Sequence, residues 1–184
     1  MKSSDFVLYL LHASGGNIQG RTLLQKRSFF VGELCHIDMG FDAHYYGPYS
    51  AEIDNSVSEL RSLGFIDEAN IGFGVARGGF EMKRYDYRLT NDGREVVDFL
   101  RGSHSEDYNR ISAGVQRIAN AGDPDYMELS IAAKAYFILK KRRKPMSRAE
   151  LAREAQKFDW VIDAASLDRA VTFLEQMGLT KSSH

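Results

Sequence analysis

Residues 45–50 read Tyr-Tyr-Gly-Pro-Tyr-Ser, and this hexapeptide limits the possible folds more than any other stretch of the chain. Pro48 has no backbone N–H and steers Gly47 away from helical geometry, so no helix runs through it. Ser50 supplies a hydroxyl cap for whatever follows, and Glu52 falls in the first turn, where the helix dipole favours an acid. Ile53, Val57 and Leu60 then repeat at helical spacing, with Leu63 continuing the face, and Gly64 is a natural left-handed stop. The hexapeptide is therefore read as the delivery point into a helix.

The stretch before it reads as a second helix. Gly20-Arg21-Thr22-Leu23-Leu24-Gln25-Lys26 opens it, with Thr22 as the expected N-cap. Leu23, Leu24, Phe30, Val31 and Leu34 form one apolar face, and Lys26 and Arg27 are expected on other faces. Phe6, Val7, Leu8, Leu10 and Leu11 make an earlier, densely apolar helix that stops at Ser14-Gly15-Gly16. Ile18 is a lone apolar residue between turns, expected to be pinned to the core.

After Gly64, Phe65-Ile66-Asp67-Glu68 starts a strand, and Tyr85 to Leu89 alternates large and polar residues at strand period. Ile71 to Gly79 holds four glycines and reads as a mobile loop. Two strands joined this way directly after a third helix make a wing. The expectation over 1–121 is thus a winged helix-turn-helix with trailing helices: Thr90 caps a helix carrying Val96, Val97 and Leu100, the polar 103–109 segment is a bend, and Ile111, Val115 and Ile118 mark another helix.

Gly122-Asp123-Pro124-Asp125 is the best boundary in the chain. Tyr126 to Leu139 is apolar on nearly every face and reads as a deeply buried helix. Ser147 and Glu150 have capping-box spacing ahead of Leu151, Ala155 and Phe158. Asp163 or Ser166 starts a last helix with Leu167, Val171, Leu174 and Met177 on one face and Gly178 as its stop. The spacing Val57-x-x-Leu60-x-x-x-Gly64-Phe65 recurs as Val171-x-x-Leu174-x-x-x-Gly178-Leu179. Residues 122–184 are accordingly read as a second, wingless HTH-like tri-helix packed on the first unit. The fold class expected is mainly α with a small β-hairpin.

Composition narrows the function classes. Hydrophobic residues make up 43% and charged residues 27%, the balance of a soluble globular chain. No stretch approaches the ~20 apolar residues of a membrane helix, so no membrane partner is expected. Met1-Lys2-Ser3-Ser4-Asp5 carries an acid and does not read as a secretory signal. The single cysteine, Cys35, cannot pair internally, which points to a reducing cytoplasm. The net charge of −1 lacks the basic excess of a dedicated nucleic-acid binder, so DNA binding would need a local patch.

That patch has candidates. Arg21, Lys26 and Arg27 on the second helix and Arg77, Lys83 and Arg84 on the wing are read as nucleic-acid-binding residues. Against them stand Glu52, Asp54 and Glu59 on the third helix, the one that enters the major groove in a winged helix. Solvated surface is the competing reading of the same cations. The run Lys140-Lys141-Arg142-Arg143-Lys144 could touch nucleic acid or an acidic partner, and it equally fits a helix C-terminus, where cations complement the dipole. Tyr45, Tyr46, Tyr49 and Glu52 form a candidate partner-binding surface, with packing as the alternative. Cys35, His36, Asp38 and His44 lack zinc-ligand spacing, and Cys35 with His36 lacks an orienting third group. No metal, cofactor or catalytic residue is expected, and no phosphate loop, dinucleotide fingerprint or triad signature is present.

Three motifs together resemble the YwgA-like family of uncharacterised prokaryotic proteins. They are Gly20-Arg21-Thr22-x-Leu24-Gln25-Lys26, Tyr46-Gly47-Pro48-Tyr49-Ser50 followed by Leu60-x-x-x-Gly64-Phe65-Ile66, and Tyr87-x-Leu89-Thr90-x-x-Gly93. A looser likeness is to the Panacea (SocA-like) antitoxin domain, which shares a lysine-leucine helix followed by a Tyr-Gly-Pro turn. The first resemblance implies a winged-helix-like fold with no established activity; the second implies a toxin-neutralising or protease-adaptor role. Two functional expectations follow. One is a non-enzymatic, dimeric, DNA-binding regulator, favoured by the commonest use of the fold. The other is a protein-interaction module, such as an antitoxin, an adaptor or a defence-complex subunit, that does not bind DNA.

Overall fold

The computed structural model describes residues 1–75 and 81–180. The chain begins with helix α1 (Ser3–Ala13), a short strand β1 (Asn17–Gln19), helix α2 (Arg21–Cys35) and helix α3 (Ala51–Ser62). Strands β2 (Ile66–Val75) and β3 (Glu81–Leu89) come next, then α4 (Asn91–Ser103) and α5 (Ser105–Asn120). Helices α6 (Tyr126–Arg142), α7 (Arg148–Gln156) and α8 (Ala164–Gln176) complete the described chain. The result is a mainly helical protein with a small three-stranded antiparallel sheet in the order β1-β3-β2.

The sheet is larger than the expected hairpin at both ends. Ile18 sits in β1 opposite Tyr87, buried as expected but held by strand pairing rather than packing alone. β2 extends through the glycine-rich stretch to Val75, with a register irregularity between Gly72 and Val75. The expected loop is therefore strand from Ile71 to Val75, and its remainder lies outside the described residues.

Helix ends follow local chemistry in most places. Ser50 accepts from Ile53 N–H at 3.1 Å, Thr90 from Gly93 N–H at 3.0 Å, and Asp163 from Ser166 N–H at 2.9 Å. The Ser147–Glu150 capping box is complete in both directions. Thr22 is not a cap: α2 starts two residues earlier than that cap would place it, behind Gly20 at φ 102°, and Gly20 has no side chain to offer. Leu63 does not continue the buried face of α3; it is the C-cap and is exposed. Residues 105–109 are helical, so the expected bend shrinks to His104.

The matching ends of α3 and α8 have a physical basis. Phe65 N–H bonds the Leu60 carbonyl and Leu179 N–H bonds the Leu174 carbonyl, each at 2.9 Å. Gly64 N–H bonds Arg61 and Gly178 N–H bonds Glu175, at 3.0 and 2.9 Å. Both glycines are left-handed, at φ 76° and 64°. This is one Schellman closure used twice.

One core joins the two halves. Phe30 of α2 meets Phe173 of α8 edge-on at 5.4 Å, and Phe29 meets Tyr136 of α6 at 6.0 Å. Arg27 bonds Asp123 at 2.7 Å and Lys140 pairs with Glu33 at 2.5 Å across the same junction. Trp160, in the loop after α7, donates its Nε1–H to the His44 carbonyl at 2.8 Å. That last bond ties the C-terminal helices to the hexapeptide turn.

Candidate functional site

The turn between α2 and α3 is an antiparallel loop closed by Asp42 and Tyr49, which exchange two backbone hydrogen bonds at 3.0 and 2.9 Å. Gly47 N–H bonds back to the His44 carbonyl at 2.9 Å. Gly47 lies at φ 94°, where an L side chain is strained, and a Cβ there would stand 3.1 Å from Lys134 Cγ, close enough to make that side chain shift. The backbone sign thus favours glycine here, and α6 packs closely against it.

Four side chains from outside the loop hold it. Lys26 Nζ donates to the Pro48 carbonyl at 2.7 Å. Gln25 grips Ser50 at both ends of its amide, donating to the Ser50 carbonyl at 3.0 Å and accepting from its N–H at 2.9 Å. Trp160 holds His44 from the other side, and its ring stacks on Phe158 at 4.8 Å. Lys134 packs on Gly47 and sets its ammonium 5.6 Å from the centre of the Trp160 ring. Each buried bond of this kind contributes on the order of 1 kcal/mol.

Lys26 corrects the sequence reading most sharply. It is only 2% exposed, on the core side of α2 rather than on a solvent face. Burial, with the Lys134 ammonium adding repulsion, pushes its pKa down to about 8. Its ammonium faces a carbonyl inside the protein, so Lys26 does not join a phosphate-contacting surface.

The other expected DNA contacts are dispersed among partners. Arg21 Nε lies 3.5 Å from the Asp54 carboxylate and 3.4 Å from the Tyr87 hydroxyl, and this bond to Tyr87 chiefly raises its pKa. Arg27 is tied to Asp123, and Arg84 makes a two-pronged bond to Asp86 at 2.7 and 2.9 Å. Lys83 is exposed on β3, and Arg77 lies outside the described residues. Three of these cations thus carry carboxylate partners on the same molecule.

The loop tip is a different surface. Tyr45 and Tyr46 are 69% and 61% exposed, and their rings meet edge to face at 4.9 Å. Tyr49 turns inward instead: burial raises its pKa first, and the charge and hydrogen bond of Asp54 add to the rise. Glu52 is exposed in the first turn of α3, next to the tip along the chain. The expected tyrosine cluster therefore divides into one packing residue and two presented ones.

Cys35 is buried, with its thiol donating to the Arg110 carbonyl at 3.3 Å, and burial pushes its pKa up. A thiol held protonated in this way is a poor nucleophile. Among the described residues, no group of three or more His, Cys, Asp or Glu side chains is placed to hold a metal ion. Nor, among those residues, is any helix long and apolar enough to cross a membrane.

Gln25, Lys134 and Trp160 were not singled out from the sequence. The signal for the first was present: Gln25-Lys26 is a polar pair set between Leu24 and Phe29, both core residues.

The chain is similar to the uncharacterized protein YwgA of Bacillus subtilis (strain 168), with 33% identity over 92 residues. The match takes in 50% of this chain and 52% of the relative, so the chain spans about half the length of the curated relative that it matches. No family model matches the chain. The resemblance to YwgA-like proteins expected from the motif residues is borne out by this relative, whereas the likeness to the Panacea antitoxin domain is not shown.

Proposed function

We propose that this chain is a non-enzymatic protein-interaction module that engages its partner through the Tyr45–Tyr46 tip. One observation carries the reading. A loop clamped by Gln25, Lys26 and Trp160 at its base leaves two large aromatic rings in solvent at its apex. Exposed, mutually packed tyrosines on a rigid support have the character of interface anchors, since each offers wide contact area with little rotamer freedom to lose. A tyrosine pair that served only packing would be covered, as Tyr49 largely is.

Winged-helix architecture is part of the proposal. The order α1-β1-α2-α3-β2-β3, with β1 added beside β3, is the element order of a winged helix and supports that reading. It also keeps DNA-binding regulation as a second reading, which rests on fold analogy. The exposed side chains of α3 weigh against it. They include Glu52 and Glu59, and a major-groove helix with that charge repels phosphates. Lys26 is buried, and Arg21, Arg27 and Arg84 are tied to carboxylates.

The test is affinity capture from the producing cells with the wild-type chain and with a Tyr45→Ala/Tyr46→Ala variant of unchanged thermal midpoint. A partner recovered by the first and lost by the second supports the module. Equal recovery contradicts it. Salt-sensitive binding to random duplex DNA, unaffected by the variant, would move the assignment to the second reading.

A further inference from the structure

A second surface lies on another side of α6. Tyr136 and Leu139 of α6, Met146 and Leu151 around the start of α7, Val171 of α8 and Leu179 after it line an open groove with a cavity volume of about 930 Å3. Its apolar lining is built by ordinary folding rules. Met146 precedes the Ser147 N-cap and Leu151 is the fourth residue of α7, the two positions of a hydrophobic staple. Leu179 is the residue that closes the Schellman end of α8.

The rim is basic, and its charges divide into two kinds. Lys140 is paired with Glu33, and Arg148 with Asp168. Glu33 also holds the Tyr136 phenol, whose pKa burial, followed by this carboxylate, pushes up to about 12. Arg143 and Lys144 make no direct ion pair with a carboxylate among the described residues, although the Lys144 charge helps to hold the Glu150 carboxyl below its ordinary range, and both are exposed. Arg143 ends α6 in a left-handed conformation, φ 52°, which turns the chain across the groove mouth. Glu175 is the one acid that lines the groove itself.

We propose that this groove docks an acidic amphipathic peptide segment of a protein partner, with apolar side chains on the Leu139–Val171 floor and carboxylates against Arg143 and Lys144. Two features of the groove select this occupant. The apolar floor needs apolar side chains to cover it, which a phosphate backbone lacks. The two exposed cations at the mouth, neither in a direct ion pair, favour carboxylates over lysines on the same segment. The Tyr45–Tyr46 tip is a separate surface: the turn packs against α6 at Ser130 and Lys134, whereas the groove uses Tyr136 and Leu139. The docking proposal therefore stands or falls independently of the function proposed above.

The probe is a fluorescein-labelled peptide with leucines at helical spacing and glutamates elsewhere, compared by anisotropy with its lysine counterpart, on the full chain. The glutamate peptide is expected to bind and the lysine peptide not. Arg143→Glu/Lys144→Glu is expected to weaken the glutamate peptide roughly fivefold or more, the scale of two rim ion pairs, and to strengthen the lysine peptide. Val171→Ser, checked for an unchanged thermal midpoint, is expected to weaken binding without altering its salt dependence. Equal binding of both peptides, no binding of either, or indifference to the charge reversal overturns the proposal. So does displacement of the peptide by duplex DNA whose own binding needs Arg143 and Lys144 but not Val171, which would make the groove a phosphate site.

Discussion

Lys26 Nζ and the Pro48 carbonyl meet at 2.7 Å in the interior, 22 residues apart in the chain. The Gly20–Lys26 and Tyr46–Ser50 motifs are joined by this bond and by the paired bonds of Gln25 to Ser50. Their shared role is to fix a turn, and that role generates specific expectations.

Lys26 makes stability depend on alkaline pH. Its folded pKa of about 8 lies below the ordinary lysine value of 10.5. The folded state therefore releases the proton first, and between those two values the unfolded chain holds more protons. The penalty for burying the ammonium is fully present below about pH 8 and is relieved as pH rises to about 10.5, with a ceiling of roughly 3 kcal/mol. The neutral amine still donates to Pro48. Urea unfolding across this window should show that rise in the wild type, and Lys26→Met should remove it.

Gln25→Ala leaves the Ser50 N–H and carbonyl without their side-chain partner inside the protein. A loss of about 1–3 kcal/mol is expected, measured by chemical denaturation. An effect under a few tenths would mean that the amide pair does not hold the turn.

Trp160→Phe keeps an aromatic ring against Phe158 but removes the Nε1–H that bonds His44. Global stability should fall by about 1 kcal/mol. The backbone amides of Asp42 and Tyr49, which bond each other's carbonyls, should exchange with solvent faster than in the wild type.

Gly93 ends the Tyr87-x-Leu89-Thr90-x-x-Gly93 motif. In an exposed helix, Gly→Ala is stabilising by up to about 1 kcal/mol. Here a Cβ would lie 2.1 Å from the Phe65 carbonyl oxygen, a backbone atom that cannot swing aside. Thr90 fixes that approach, bonding the Gly64 carbonyl at 2.8 Å and capping Gly93. Gly93→Ala is expected to destabilise by about 1–3 kcal/mol, read as a lower thermal midpoint.

The features legible in the sequence are those written locally. The Ser50 and Asp163 caps, the Ser147–Glu150 box and the Gly64 and Gly178 stops each depend on a few adjacent residues. So does the Ile53-Val57-Leu60 face. What escaped was set by distant partners. Lys26 looks like a surface cation until Pro48 and α6 close over it. β1 is three residues long, too short for any period, and exists because β3 offers a free edge. Trp160 meets the turn across 116 residues. The candidate site was half visible for the same reason: the tyrosines stand together in the chain, but which of them is presented depends on Asp54, α6 and Trp160.

The most direct test of the interaction reading is site-specific photocrosslinking in the producing cells. Tyr46→p-benzoylphenylalanine is compared with the same replacement at Glu106, exposed on α5. The account predicts one dominant protein adduct from position 46 and none of that mass from position 106. The same adducts from both positions, or none from position 46 while the purified chain binds random duplex DNA with steep salt dependence, would contradict it.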